Sequence, residues 1–396
     1  MAVLRAITLA DVSELRIPSI EELRKRSSEK WRRVPSDVVP LPVAEMDYEI
    51  APEIKSRLKE LVERSDTGYL GPMPELAIAL REFARTRWDW SIAAERIRLA
   101  SDVGVAVVEL TRLFAQPGEK IMVNSPVYSS FFQWIKELRC DVVDVPMHEF
   151  QRDGRRSHRL DLDAIEHGYR EGVKVHFLSH PHNPLGVIHS NEELENVAEL
   201  AERYNVIVIS DEIHSPLVYP TERYTPFLNI SPVASRVGIC VISASKAFNL
   251  AGLKCAQIVV ADDALHEKLK SLPEAMHARA SLFGAIAALV AFESCSSWLD
   301  GVRIDLQRKS NLLAHSLHEA MPDAYFFTPR FGYLGWIDLT RYGLGDDPAK
   351  VMLERGRVAL APGANYGANG KGFVRFNFGT SDEIITEGVT RMKQAL

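Results

Sequence analysis

Three polar clusters each follow a short apolar run. His180-Pro-His-Asn183 follows Val175-His-Phe-Leu-Ser179, Asp211-Glu-Ile-His214 follows Val206-Ile-Val-Ile-Ser210, and Ser243-Ala-Ser-Lys246 follows Gly238-Ile-Cys-Val-Ile242. Short apolar runs rich in β-branched residues read as buried strands, so an amide, a carboxylate and an amine each sit just past a strand end. In an open α/β sheet the carboxyl ends of neighbouring strands converge on one ligand crevice. An amine there, flanked by the small residues Ser243, Ala244, Ser245 and Ala247, has room to act as a nucleophile or base. Each cluster also has an ordinary explanation: Asn-Pro forms turns, Asp after a strand caps a helix, and most lysines are solvated. The common order and placement of the three set them apart.

Other chemistry is poorly served. His176, His180 and His182 have a metal-like spacing, but no cysteine or carboxylate pattern completes a zinc site and Pro181 suggests a loop, so no metal is expected. Gly367-Ala-Asn-Gly-Lys-Gly lacks the Walker spacing, and no strand is followed by a dinucleotide fingerprint. A formal net charge of -6 and short, interrupted basic clusters (Arg24-Lys25-Arg26, Arg152-Asp-Gly-Arg155-Arg156) give no footprint for nucleic acid or an anionic membrane. They read as solvated faces. The longest nearly apolar stretch, Phe283 to Phe292, is half the roughly 20 residues of a membrane span and reads as a buried helix. Four cysteines without CxxC spacing fit a reducing, cytoplasmic setting.

The elements that must carry these clusters follow from the pattern. At 396 residues, two domains are the natural expectation. Strand candidates at 121, 142, 175, 206, 238 and 257 alternate with helical stretches, which argues for βαβ units and a largely parallel sheet. After about 285 a long helical stretch leads to strands at 331 and 372, a second and smaller α+β grouping. The Pro-punctuated segment Val34 to Pro42 closes a charged, helical amino-terminal region.

The order Asn-Pro-x-Gly, Ser-Asp-Glu-x-His, Ser-x-Ser-Lys and a late Phe-Val-Arg resembles the fold-type I pyridoxal-phosphate enzymes of the class I/II aminotransferase superfamily. Within it, VAEMDYEIAPEI at 43, TGYLGP at 67, NSPVYSSFF at 124, SDEIHSPLVY at 210, SKAFNLAGLK at 245, and APGANYG with GFVRFNFG from 361 are similar to the MalY/PatB group of cystathionine β-lyases. The likeness runs from about residue 20 to the end. It implies an α/β fold of type I: a large domain with a mostly parallel seven-stranded sheet over 46–284, and a smaller α+β domain over 285–396 that the segment 1–45 joins.

The resemblance also implies roles. Lys246 would attach pyridoxal 5'-phosphate and then remove the Cα proton of an amino acid substrate, while Asp211 would pair with the ring nitrogen. Asn183 and His214 would hydrogen-bond the phenolic oxygen, and Tyr128 would stack on the ring. Val103 and Gly104, at a turn opening a helix, would bind the phosphate with Ser243 and Lys254. Arg375 would grip the substrate carboxylate in a two-pronged fork, beside Ala44, Tyr128 and Asn183; the other reading of Arg375 is a solvent-facing strand residue. Tyr69 would reach the phosphate of a neighbouring subunit, implying a homodimer with composite sites, or is simply a packed loop aromatic. Leu185 and Pro42 depart from the pattern, where threonine and tryptophan are frequent, and Pro42 alters a loop near the substrate side chain. The activity implied is C–S β-elimination from L-cystathionine or another L-cysteine S-conjugate. A transaminase, an enzyme recruited to a specialised sulfur pathway, and a regulatory partner-binding protein are the alternatives.

Overall fold

The computed structural model describes residues 15–396, so residues 1–14 of the segment expected over 1–45 lie outside the described residues. In chain order come β1 (Val39–Pro40), β2 (Ile97–Ala100), β3 (Lys120–Val123), β4 (Asp141–Asp144) and a hairpin of β5 (His148–Arg152) and β6 (Arg155–Arg159). They are followed by β7 (Val173–Ser179), β8 (Ile207–Asp211), β9 (Gly238–Ile242) and β10 (Ala256–Val259). The last third holds β11 (Tyr325–Phe327), β12 (Leu334–Asp338), β13 (Val358–Ala359), β14 (Ala361–Pro362) and β15 (Phe373–Asn377).

One sheet has seven strands in the order β2-β10-β9-β8-β7-β3-β4. From β9 to β4 every pairing is parallel, whereas β10 runs antiparallel to both β9 and β2. The mostly parallel seven-stranded sheet is therefore present, with one strand reversed. That reversal carries the site. Gln257 pairs with Ile242 and Ala256 with Ala100, so the residues entering β10 lie at the same sheet edge as those leaving β9 and β2. The sequence did not announce β2, because Ile-Arg-Leu-Ala is short and broken by a charge; its pairing with β10 recruits it.

Period-two alternation sends the strand side chains to opposite faces. Val123, Phe177, Ile209, Val241 and Ile258 share a core with Val107 and Leu110 of the helix Val103–Arg112. Met122, Leu178, Val208, Cys240 and Ile242 belong to a second, larger core. Helix boundaries follow side-chain caps. Asp102 accepts from the Val105 amide to open Val103–Arg112, and Ser190 with Glu193 forms a reciprocal capping box at the start of Asn191–Tyr204.

The apolar stretch at 283 is the buried helix Leu282–Ser294, packed on the helices Pro52–Glu63 and Pro74–Trp88. Gly284 lets it approach the sheet edge: a Cβ there would lie 2.1 Å from the Leu253 carbonyl oxygen, beside Lys254. No single helix among the described residues is long and apolar enough to cross a membrane.

A four-stranded antiparallel sheet, β11-β12-β15-β14, forms the second grouping. β1 pairs in parallel with β13, and the Asn377 amide donates to the Leu41 carbonyl at 3.0 Å, so the described part of the amino-terminal segment is stitched to this sheet. The basic cluster 152–156 is the turn of the β5–β6 hairpin, with Asp153 and Gly154 both at positive φ. Its Arg156 is a correction to the solvated reading. The guanidinium bonds Glu149 at 2.8 Å and Asp338 of β12 at 2.7 Å, tying the hairpin to the smaller sheet.

Candidate active site

The residues leaving β2, β7, β8 and β9 and those entering β10 border a cleft of about 880 Å³. Val103, Gly104, Tyr128, Asn183, Asp211, His214, Ser243, Lys246, Lys254, Arg375 and Ala44 all line it. Tyr69 does not line the cleft of its own chain, and is 99% exposed.

Lys246 lies in the loop after β9. Asn249, at positive φ, donates its side-chain amide to the carbonyls of Met46 and Tyr48, both at 3.0 Å, and so docks that loop on the 44–48 segment. There the Lys246 amine donates to the Ala44 carbonyl at 2.9 Å, which also accepts from the Tyr333 hydroxyl at 3.1 Å. Burial, and next the charge of Arg375, lower the pKa of the amine to about 8. The Asp211 carboxylate, at the end of β8, accepts only a 3.2 Å bond from the Ile213 amide. Burial pushes its carboxyl up to about 6, against the pull of that amide and of Lys246. His214 is buried with an unpartnered Nδ1, and burial, aided by Lys246 and Arg375, takes its pKa down to about 3. It is a neutral imidazole at physiological pH. The neighbouring Glu212 is anchored away from the cleft by Ser210, Tyr224 and the Phe227 amide.

Arg375 sits in β15, buried, with its guanidinium over the Tyr366 ring at 5.1 Å. Its Nη2 donates to the Pro42 carbonyl at 2.9 Å and Nη1 to Asn183 Oδ1 at 3.4 Å, while Nε is buried without an acceptor. The solvent-facing reading of this arginine is thus excluded. Asn377, two residues on and therefore on the same strand face, clamps the carbonyls of Val43 and Glu45 at 2.6 and 2.7 Å. Alternation in Phe-Val-Arg-Phe-Asn carried the signal for Asn377. Tyr366 lies within the APGANYG motif and Tyr333 within the strand candidate at 331, but nothing in the sequence marked either as part of the site.

At the other end, the helix Val103–Arg112 points its amino terminus at the cleft. The Val103 and Gly104 amides have no intrahelical acceptor, since the Asp102 carbonyl takes the Ala106 amide and the Asp102 side chain takes the Val105 amide, and with the helix dipole they suit an anion. Lys254 bonds the capping Asp102 at 3.1 Å. Ser243 donates its hydroxyl proton to the Cys255 carbonyl at 2.6 Å and accepts from the Ser245 amide, so it serves an anion only after releasing that carbonyl. Tyr128 is held edge-on by Phe131 and Trp134, at 5.9 and 5.8 Å between ring centres. The three histidines of metal-like spacing do not act together: His176 bonds Tyr169 and Asn124, His180 the Thr225 carbonyl and His182 the Pro126 carbonyl.

The sequence pattern of the family described as aminotransferase class I and II matches residues 36–392. The chain is 32% identical to a cystathionine beta-lyase of Corynebacterium glutamicum, over 96% of this chain and 100% of that one. It is 30% identical to the cystathionine beta-lyase PatB of Bacillus subtilis, over 95% and 98%. Among solved structures, cystalysin of Treponema denticola, which contains a pyridoxal 5'-phosphate cofactor, superposes with a TM-score of 0.88. The identity is 25%, covering 96% of this chain and 97% of that one.

Proposed function

From the premise that the chain belongs to the aminotransferase class I and II family, we propose that it is a pyridoxal-phosphate-dependent carbon–sulfur β-lyase. It cleaves L-cystathionine or a related L-cysteine S-conjugate to thiol, pyruvate and ammonia. The observation that carries the reading is the pairing of Lys246 and Asp211 in one cleft: an amine tuned to be neutral part of the time, and a buried carboxylate short of a cation. The names borne by the relatives at 30% identity and above support elimination over amino-group transfer.

The residues present suit the cofactor. Asp211 lacks the positive partner that a protonated ring nitrogen offers, and His214 and Arg375 carry buried polar atoms without partners. The helix amino terminus at Val103, with Lys254, suits a phosphate. Pyridoxal phosphate, when bound, supplies an electron sink that makes the substrate Cα acidic.

The rest falls to the chain's own groups. In this reading Lys246 would hold the cofactor covalently, take the Cα proton on Nζ and be able to return it to the departing sulfur. Asp211 keeps the proton on the ring nitrogen, Asn183 and the neutral His214 bond the phenolic oxygen, and Tyr128 covers the ring. Arg375 and Asn183 fix the α-carboxylate, and the bonds of Arg375 to Pro42 and of Asn377 to Val43 and Glu45 hold the wall on which Ala44 faces Lys246. The proposal includes a cytoplasmic homodimer in which the exposed Tyr69 completes the partner's phosphate site. Continuous thiol release from cystathionine, followed with a thiol reagent and abolished in Lys246→Ala, tests the reading. Equal release by the variant would remove Lys246 from it.

A further inference from the structure

Four cations line the cleft among the described residues: Arg33, Lys246, Lys254 and Arg375. Lys246 bonds Ala44, Lys254 bonds Asp102 at the helix terminus and Arg375 bonds Pro42, and the proposed function has a task for all three. Arg33 has no such assignment. It follows the short helix Glu29–Arg32 and pairs with Glu29 at 3.2 Å, both side chains being well over half exposed. A pair so exposed is weak and readily exchanged.

Its support is not weak. Lys30 and Trp31 of the same helix are buried and bond Asp47 at 2.7 and 2.8 Å, and Lys30 also reaches the Glu45 carbonyl at 3.4 Å. Those partners closely follow Ala44, the residue that touches Lys246, so the helix bearing Arg33 is tied to the segment facing the reacting centre. Val34, Leu353 and Leu360 add apolar wall to the same cleft. An apolar wall and an exchangeable cation in one cleft suit the methylene groups and distal anion of a thioether side chain.

We propose that Arg33 binds a carboxylate at the far end of the sulfur-linked side chain, displacing Glu29. Arg33 then selects, among L-cysteine thioethers, those whose thiol half ends in a carboxylate, cystathionine included. This rests on the lyase reading. A guanidinium takes a carboxylate in a fork, which a carboxamide of the same shape cannot reproduce.

The test compares S-(3-carboxypropyl)-L-cysteine with its carboxamide, S-(3-carbamoylpropyl)-L-cysteine, on the cofactor-loaded enzyme. The acid is expected to have the higher kcat/KM by about fivefold. Arg33→Gln should bring the ratio to about one, Arg33→Glu should invert it, and Glu29→Gln should increase it. A ratio unchanged in folded Arg33→Gln protein overturns the assignment. The same ratio read as dissociation constants on cofactor-loaded Lys246→Ala protein separates the two ideas. Discrimination that depends on Arg33 without thiol release in the wild type sinks the lyase reading and leaves the subsite standing; binding without discrimination sinks the subsite.

Discussion

The amine of Lys246 is the most exposed point of the account, because its pKa of about 8 against an ordinary 10.5 has a kinetic consequence. At pH 7 an amine with pKa 8 is neutral in about one molecule in eleven, and one with pKa 10.5 in about one in 3,000, a difference of about 300-fold in nucleophile. Covalent uptake of pyridoxal phosphate by cofactor-free protein should therefore rise nearly tenfold from pH 6 to 7 and level off above about 8.5. The assay is stopped-flow absorbance at constant ionic strength, each rate divided by that of a simple amine per neutral molecule at the same pH. The causes of the shift give opposite signs for two variants. Arg375→Leu removes a charge that lowers the pKa and should move the break upward, whereas Asp211→Asn removes a charge that raises it and should move the break downward. A wild-type rate still climbing tenfold per pH unit beyond 9.5 would refute the desolvated lysine.

Arg375→Leu should also lower kcat/KM by about 30- to 5,000-fold, the 2 to 5 kcal/mol of a truncated buried charge pair. Arg375→Lys should recover only part of that, and full recovery by lysine would argue against a two-pronged grip. Asp47→Ala leaves Lys30 buried without its partner and should cost about 3 to 5 kcal/mol in urea unfolding. Lys30→Met added to it should restore most of the loss, and a neutral single variant would deny the anchor under the Ala44 segment. Mixing inactive Tyr69→Ala and Lys246→Ala chains should regain activity in verified heterodimers, because one hybrid site keeps both residues; none regained would return Tyr69 to its own chain.

Strand ends and the groups after them were legible because both signals are local. A β-branched run ending in a polar residue states its own position, and Asp211, Asn183 and Lys246 all lie where such runs placed them, at one cleft. The strand at 257 was legible but its reversal was not, since antiparallel pairing leaves no mark on Gln257-Ile-Val-Val260, and yet that reversal brings Lys254 to the cleft edge. Groups acting through main-chain carbonyls were hidden for another reason. Nothing in the type of Ala44 or Pro42 says that its carbonyl accepts from Lys246 or Arg375; only the meeting of segments about 200 and 330 residues apart in sequence creates those bonds. Arg156 was misjudged likewise, because its carboxylate partner Asp338 comes from a distant strand.

The central claim is that Lys246 and its surroundings end in elimination, and product stoichiometry tests it most directly. With cystathionine, S-alkyl cysteines and bulkier S-conjugates, and no added keto acid, pyruvate and ammonia should appear in equal amounts over many turnovers per cofactor. A single turnover that stops with pyridoxamine phosphate and resumes only when a keto acid is supplied, for every sulfur substrate tried, would contradict the account and make the protein an aminotransferase.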